Sequence, residues 1–234
     1  MVFLRKGVKM KALIFDSGAL INLSMNGMLY VLKELKKNFD GKFLITEEVK
    51  YETVDRPIGI ERFELGALQV QSLIDSGIIE LPVALNVNVR ELKKDTKLLF
   101  DTANRFLKVN GKWLHIVAEA EMSCLALSSV LKKRGIETMI AIDERTTRIL
   151  CENPSNLGSL MSERLHQNIK IAGSNNGIFS EFRFIRSSEL LYVAYKKNII
   201  ELKGKKVLEA VLLATKFKGS SISFEEINVL KKYG

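Results

Sequence analysis

Short apolar runs alternate with amphipathic stretches along most of this chain. Each run is followed by polar or turn-forming residues, and the stretches between them place apolar residues at helical spacing. This alternation is typical of a parallel sheet whose buried strands are joined by helices. The runs that predict strands are residues 12–15, 43–45, 78–81, 138–142 and 182–185.

The helical stretches fill most of the remaining chain. A break is expected at Asn26-Gly27, and Ser223 followed by Glu226 has the spacing of a capping box. Residues 153–180 are rich in Asn, Ser and Gly and predict a loop insertion with a short helix at 158–167. The predicted helices cover residues 18–37, 46–54, 59–76, 88–109, 115–133, 144–151, 187–197, 204–217 and 223–232.

These elements predict an α/β protein. We expect a three-layer α/β/α domain over residues 11–200, with a five-stranded parallel sheet and the insertion at 153–180. Residues 201–234 are expected to form a C-terminal helical extension.

The net positive charge of the chain is concentrated in two segments, which raises the question of a phosphate-bearing partner. The net charge is +9, and residues 90–112 carry seven Lys or Arg against three Asp or Glu. Residues 196–234 carry nine Lys against four Glu. Such segments attract phosphate backbones, but Lys/Glu-rich surfaces without a ligand have the same composition, so both interpretations stay open. The two segments do not show the aromatic interleaving that is typical of stacking platforms, and Trp113 is expected in the core or at an interface.

Apolar composition points to a protein of the cytoplasm. Hydrophobic residues make up 47 % of the chain, yet no apolar stretch approaches the roughly 20 residues of a membrane span. Asp16 interrupts the first apolar run, so the basic N-terminal residues do not predict a secretory signal. Cys124 and Cys151 lie in apolar surroundings and are expected to be buried thiols.

Acidic residues carry the candidate chemistry. Asp16 and Asp143 each follow a predicted buried strand directly, and the carboxyl ends of parallel strands form the usual ligand site of such sheets. Glu52 lies on the helix after the second strand. Glu119 and Glu121 begin the helix at 115–133 and point about 200° apart, with Glu121 on the apolar face. Converging carboxylates without a basic partner favour a divalent cation, although Asp16 and Asp143 could also act as helix caps.

Other catalytic motifs are missing from the sequence. There is no Gly-Lys-Ser/Thr phosphate loop, no G-x-G-x-x-G and no G-x-S-x-G. His115 and His166 do not have metal-ligand spacing with the cysteines, and His115 is expected to pack at a helix start.

Four sequence blocks around these acids resemble PIN-domain ribonucleases. The blocks occur in the family's order and match its Asp followed by Ser, its Val-x-x-Glu, its paired Glu residues and its Asp-acid-Arg. Ala118 replaces the family's usual Gly and Glu144 its usual second Asp, while SSELLYVAYKKNII (187–200) also resembles one branch of the family. The four blocks are LIFDSGALINL (13–23), LITEEVKYETV (44–54), AEAEMSCLALS (118–128) and IAIDERTTRIL (140–150).

The resemblance implies a Mg²⁺- or Mn²⁺-dependent endoribonuclease. Asp16 and Asp143 would be direct metal ligands, and Glu52 and Glu121 would complete the acidic cluster. Glu119 would be a reserve ligand. In the same blocks, Ser17 would hold a carboxylate or phosphate, and Arg145 would bind substrate.

Two other functions stay open on the same residues. The chain could be a non-catalytic module that binds RNA or a protein partner, with basic patches but no metal affinity. It could also be the toxin of a toxin–antitoxin pair, for which the partner would be an antitoxin protein. Family habit further implies a homodimer.

Overall fold

The computed structural model describes residues 10–174 and 177–233, so the basic N-terminal residues before Met10 lie outside the described part. Helices and strands alternate through it. A π-helical turn, Tyr51–Asp55, extends the third helix, and short 3₁₀ turns lie at Pro57–Gly59, Pro82–Leu85 and Pro154–Asn156. The elements are β1 (Lys11–Phe15), α1 (Ser17–Met25), α2 (Tyr30–Lys37), β2 (Gly41–Leu44), α3 (Glu47–Lys50), α4 (Glu61–Asp75), α5 (Val89–Ala103), β3 (Leu107–Val109), β4 (Lys112–Trp113), α6 (Glu119–Lys133), β5 (Glu137–Ala141), α7 (Arg145–Glu152), α8 (Leu157–Leu165), β6 (Ile169–Ile171), β7 (Phe184–Ile185), α9 (Ser187–Lys196), α10 (Val207–Phe217) and α11 (Phe224–Lys232).

The main sheet has four parallel strands in the order β2-β1-β5-β7. β1 lies between β2 and β5, with Ile14 opposite Leu44 on one side and Ile140 on the other. Residues 12–15 of β1 are all buried, and successive side chains point to opposite faces, so both faces are covered at this strand. The α/β class and the parallel sheet are therefore confirmed.

The predicted strand at 78–81 is reduced to a single bridge. Glu80 pairs with Leu44 in parallel, donating to the Phe43 carbonyl and accepting from the Ile45 amide. Pro82 comes two residues after Glu80 and cannot donate to a ladder, which stops the pairing. The sheet thus has four strands plus one bridging residue.

Two helix boundaries in the middle of the chain differ from the prediction. The helix predicted at 88–109 ends at Ala103, and residues 107–109 form strand β3. The helix predicted from 115 begins only at Glu119, so His115 is exposed in an extended segment, with its ring edge-on to Phe100. Trp113 is exposed on β4, which excludes the core, whereas the other predicted position, an interface, stays a prediction.

The insertion at 153–180 is structured where it is described. Its helix, α8, begins one residue earlier than predicted, and β6 pairs with β3 in a second, antiparallel sheet of order β4-β3-β6. Leu157, Ile169 and Phe179 are buried in the main core, so apolar contacts hold the segment against the domain. Residues 175 and 176 of the insertion lie outside the described part.

The C-terminal helices pack on α9 around a small apolar cluster of Leu208, Leu212, Ile222 and Ile227. The predicted capping box is confirmed, because Ser223 accepts from the Glu226 amide and Glu226 accepts from the Ser223 amide. None of the helices in the described ranges is long and apolar enough to cross a membrane.

Candidate functional site

The carboxyl ends of neighbouring strands bring the strand-end acids together. Asp16 follows β1, and its backbone amide donates to the carbonyl of Ala141 on β5 at 2.9 Å. Asp143 comes two residues after Ala141. β1 and β5 are adjacent and parallel, so both acids emerge at the same edge of the sheet.

Asp16 is a buried carboxylate with one oxygen left unpaired. It caps α1, because its Oδ2 accepts from the Gly18 amide at 3.0 Å, and only 2 % of the residue is exposed. A side chain at position 18 would place its Cβ 3.2 Å from this oxygen, which explains a glycine there. Oδ1 is buried and has no hydrogen-bond partner. The capping function is thus real, but it uses only one of the two oxygens.

Burial is the main cause that raises the pKa of Asp16 to about 7. The Gly18 hydrogen bond opposes this increase, and the nearby charges of Glu52 and Asp143 contribute to it. The protein therefore holds a group at this position that titrates near neutral pH. A cation bound at this unpaired oxygen, beside the neighbouring acids, would stabilise the ionised form of the Asp16 carboxylate.

Asp143 is equally buried but fully hydrogen-bonded. Oδ1 accepts from the Ser187 amide at 2.9 Å and from the Ser220 hydroxyl at 3.0 Å, and Oδ2 accepts from the Ser187 hydroxyl at 2.6 Å. Ser187 begins α9 and Ser220 lies in the C-terminal extension. Asp143 thus joins three distant segments of the chain.

Glu121 lies on the first turn of α6 and is held from two sides. Its Oε2 accepts from the Ala118 amide and from the Thr147 hydroxyl, each at 3.0 Å. Burial, together with the charges of Asp16 and Glu144, raises the pKa of Glu121 to about 8 against the opposing hydrogen bonds from Ala118 and Thr147. The structure therefore couples Glu121 to Asp16 electrostatically, as their predicted convergence requires.

Glu52 lies half-buried on the π-helical turn, and its negative charge contributes to the raised pKa of Asp16. Glu119 is exposed and lines a different face from Glu121. With Glu52 it borders a groove of about 760 Å³ that also contains Lys93 and Lys97 of α5. Of Glu119 and Glu121, Glu121 is the less exposed.

The two predicted substrate residues have different positions. Ser17 is the half-buried first residue of α1, and its backbone amide, like that of Gly18, lowers the pKa of Asp16. Arg145 is exposed at the start of α7 and lines a groove of about 420 Å³ with Arg164.

Several residues of the site were not predicted from the sequence. Glu144 caps α7 by accepting from the Thr147 amide at 2.8 Å, and its charge acts on Glu121. Glutamate is not a favoured N-cap residue, so the usual helix-start signals do not identify this pair. No local pattern identifies Ser187 and Ser220, because they reach Asp143 across 44 and 77 residues.

The carboxylates of the described residues do not form a complete metal site by themselves. Within residues 10–174 and 177–233, no three His, Cys, Asp or Glu side chains converge closely enough to hold a metal ion. The unpaired Oδ1 of Asp16 nevertheless fits a cation, because carboxylate oxygen is the ligand that Mg²⁺ and Mn²⁺ prefer. The thiol of Cys124 donates to the carbonyl of Phe15, the residue before Asp16, at 3.6 Å. Burial raises the pKa of this thiol well above the usual range.

Comparison of this chain with protein-family models, with curated proteins and with solved structures finds no match.

Proposed function

We propose that this protein is a Mg²⁺- or Mn²⁺-dependent endoribonuclease of the PIN type. The observation that carries the proposal is Asp16, a buried carboxylate with an unpaired oxygen, whose pKa of about 7 is raised partly by two neighbouring acids. A buried acid of this kind is costly to the fold, and functional sites are where such groups concentrate.

Asp16 and Glu121 would hold the ion. Asp143, a direct ligand by the resemblance, already accepts hydrogen bonds on both oxygens, so here it would supply negative charge together with Glu52. The bound ion would neutralise negative charge on the phosphodiester and on its leaving oxygen. Thr147 and the Ala118 amide orient the Glu121 carboxylate, and Gly18 orients that of Asp16.

Lysines beside the acids favour a phosphate-bearing substrate. Lys93 and Lys97 are one helical turn apart on α5 and share the 760 Å³ groove with Glu52 and Glu119. Their charges would bind the backbone of an RNA strand next to the carboxylates. The remaining partners, an antitoxin protein or a second copy, rest on the resemblance alone.

One observation favours a second function, a non-catalytic RNA-binding module. Asp143 already accepts three hydrogen bonds, so binding a metal there would require displacing a serine. In that function the acids would stabilise the domain, and the basic segments would bind RNA without cleavage.

The test is cleavage of an end-labelled, unstructured RNA in Mn²⁺ or Mg²⁺. We expect wild-type protein to cleave it and Asp16→Asn to lose at least about 100-fold in rate. Glu137→Gln is the matched control, because Glu137 opens β5 at the opposite edge of the sheet and pairs with Arg183. Equal rates for wild type and Asp16→Asn would contradict the mechanism, and a wild type without cleavage would support the non-catalytic function.

A further inference from the structure

The small antiparallel sheet has an outer face that the carboxylate site does not use. On β3, Lys108 stands directly opposite Trp113 of β4 and opposite Lys170 of β6. Residues paired across neighbouring strands point to the same side. The opposite side of the sheet contributes Leu107 and Ile169 to the core. The side with Trp113, Lys108 and Lys170 therefore faces outward.

This outer face combines an exposed aromatic ring with unneutralised cations. Trp113 is 46 % exposed, although tryptophan is normally well buried. The Nζ of Lys108 lies 4.1 Å from the centre of its ring, and Lys170 is exposed on the third strand. Among the residues that the structure describes, neither lysine forms a salt bridge. The face thus has positive charge and an indole available to a ligand.

A planar ring beside cations on an open sheet matches the chemistry of single-stranded nucleic acid. Bases stack on aromatic side chains while lysines neutralise the adjoining phosphates, and neither contact depends on sequence. A duplex would present its phosphates but not its base faces, which are covered by their neighbours. We propose that Trp113, Lys108 and Lys170 form a binding surface for single-stranded RNA, with a base stacked on Trp113.

The chain itself leads from this surface to the carboxylates. Residues 114–118 continue from β4 to the start of α6, a separation of at most about 18 Å from Trp113 to Ala118. They line a groove of about 420 Å³ with Glu121, Glu144 and Arg164. A strand held on Trp113 could follow this groove toward Glu121. That path rests on the proposed function, whereas the binding surface does not.

The sequence contains a single tryptophan, so its fluorescence reports on this surface directly. The protein is titrated in EDTA, in the Asp16→Asn background, with an oligouridylate of about twelve nucleotides. We expect the fluorescence to be quenched. Because neither metal nor cleavage takes part, failure of the nuclease proposal would leave this result unchanged.

Anisotropy of a labelled oligouridylate then compares variants. We expect Trp113→Leu to weaken binding about tenfold or more. The double variant Lys108→Ala, Lys170→Ala should reduce the slope of log binding constant against log salt concentration by about one to two. Lys33→Ala is the matched control, an exposed lysine in the groove between α2 and α4, and should bind like wild type.

Three results would overturn the inference. The first is unquenched Trp113 fluorescence at a saturating concentration of oligonucleotide. The second is wild-type affinity in both the Trp113→Leu variant and the double lysine variant, when their thermal melting curves match that of the wild type. The third is tighter binding of an RNA duplex, or of polyglutamate, than of the single strand. A single-stranded DNA of equal length shows whether the 2′-hydroxyl matters, and binding of either strand supports the surface.

Discussion

Replacing Asp16 with Asn should stabilise the metal-free protein at alkaline pH. Asn keeps an oxygen that can accept from the Gly18 amide, as Oδ2 does at 3.0 Å, but it removes the buried charge. The pKa of Asp16 is about 7 in the folded protein against the ordinary 3.8, because the carboxylate is desolvated. Between these two values the folded state binds more protons than the unfolded state, so wild-type stability falls as pH rises from about 4 to above 7.

The size of this effect follows from the pKa difference. About three pKa units correspond to about 4 kcal/mol of unfolding free energy lost once the pH exceeds the folded pKa. The Asn amide would take the position of Oδ1, which has no partner, and an unpaired buried donor costs about 1–3 kcal/mol. We therefore expect Asp16→Asn to gain about 1–3 kcal/mol at about pH 8 and to lose about 1–3 kcal/mol at about pH 4, where the wild-type carboxyl is protonated in the folded state.

Urea unfolding in EDTA, followed by circular dichroism at both pH values, measures this difference. Glu137→Gln, at the far end of β5, is the control, and its unfolding free energy relative to wild type should not increase between about pH 4 and about pH 8. If Asp16→Asn is destabilised equally at both pH values, the carboxylate is a structural cap and the reasoning is refuted. A gain in stability together with loss of cleavage would indicate that the fold tolerates a costly group for activity.

Two further predictions concern the other acids. Asp143→Ala should lower the unfolding free energy by about 3 kcal/mol, because the Ser187 amide and the hydroxyls of Ser187 and Ser220 lose their acceptor; a loss under about 1 kcal/mol by urea denaturation would contradict this. Thr147→Val should raise the pKa of Glu121, since the hydroxyl that donates to Oε2 is removed, and should shift the pH–rate profile of RNA cleavage upward; Thr147→Ser should restore it, and an unchanged profile would exclude Thr147 as a positioning residue.

Much of the main sheet follows from local pattern. The run ALIF (12–15) before Asp16 is apolar and short, and it forms most of β1 because both faces of the strand are covered there. The pairing of β1 with β5 places Asp16 and Asp143 at one edge, as strand logic predicts. The orientation of Glu121 also follows from helical periodicity, since only one of two acids two residues apart can face inward.

The antiparallel hairpin differs from the predicted helix at 88–109 because Asn-Gly can end a helix or form a hairpin turn. Asn110-Gly111 follows that predicted helix directly, but both residues have positive φ, 49° and 79°, and form the tight turn between β3 and β4. Asn-Gly between short strands is the strongest local hairpin signal. Since β6 pairs with β3 from more than fifty positions away, as Leu107 opposite Ile171 shows, the sheet that exposes Trp113 depends on a contact that local periodicity does not encode.

The network around Asp143 could not be predicted for a similar reason. Ser187 and Ser220 reach it only because α9 and the C-terminal extension fold over the edge of the sheet. The extension is also fixed by Arg186, which pairs with Glu226 at 2.8 Å. Side-chain hydrogen bonds across such separations are a property of the tertiary structure.

Calorimetric titration of Mn²⁺ into the metal-free protein tests the central claim most directly. We predict binding with a dissociation constant below about 1 mM in the wild type and in Glu137→Gln, and its loss in Asp16→Asn. Absence of binding at millimolar Mn²⁺ in the wild type, or equal binding in Asp16→Asn, would contradict the account.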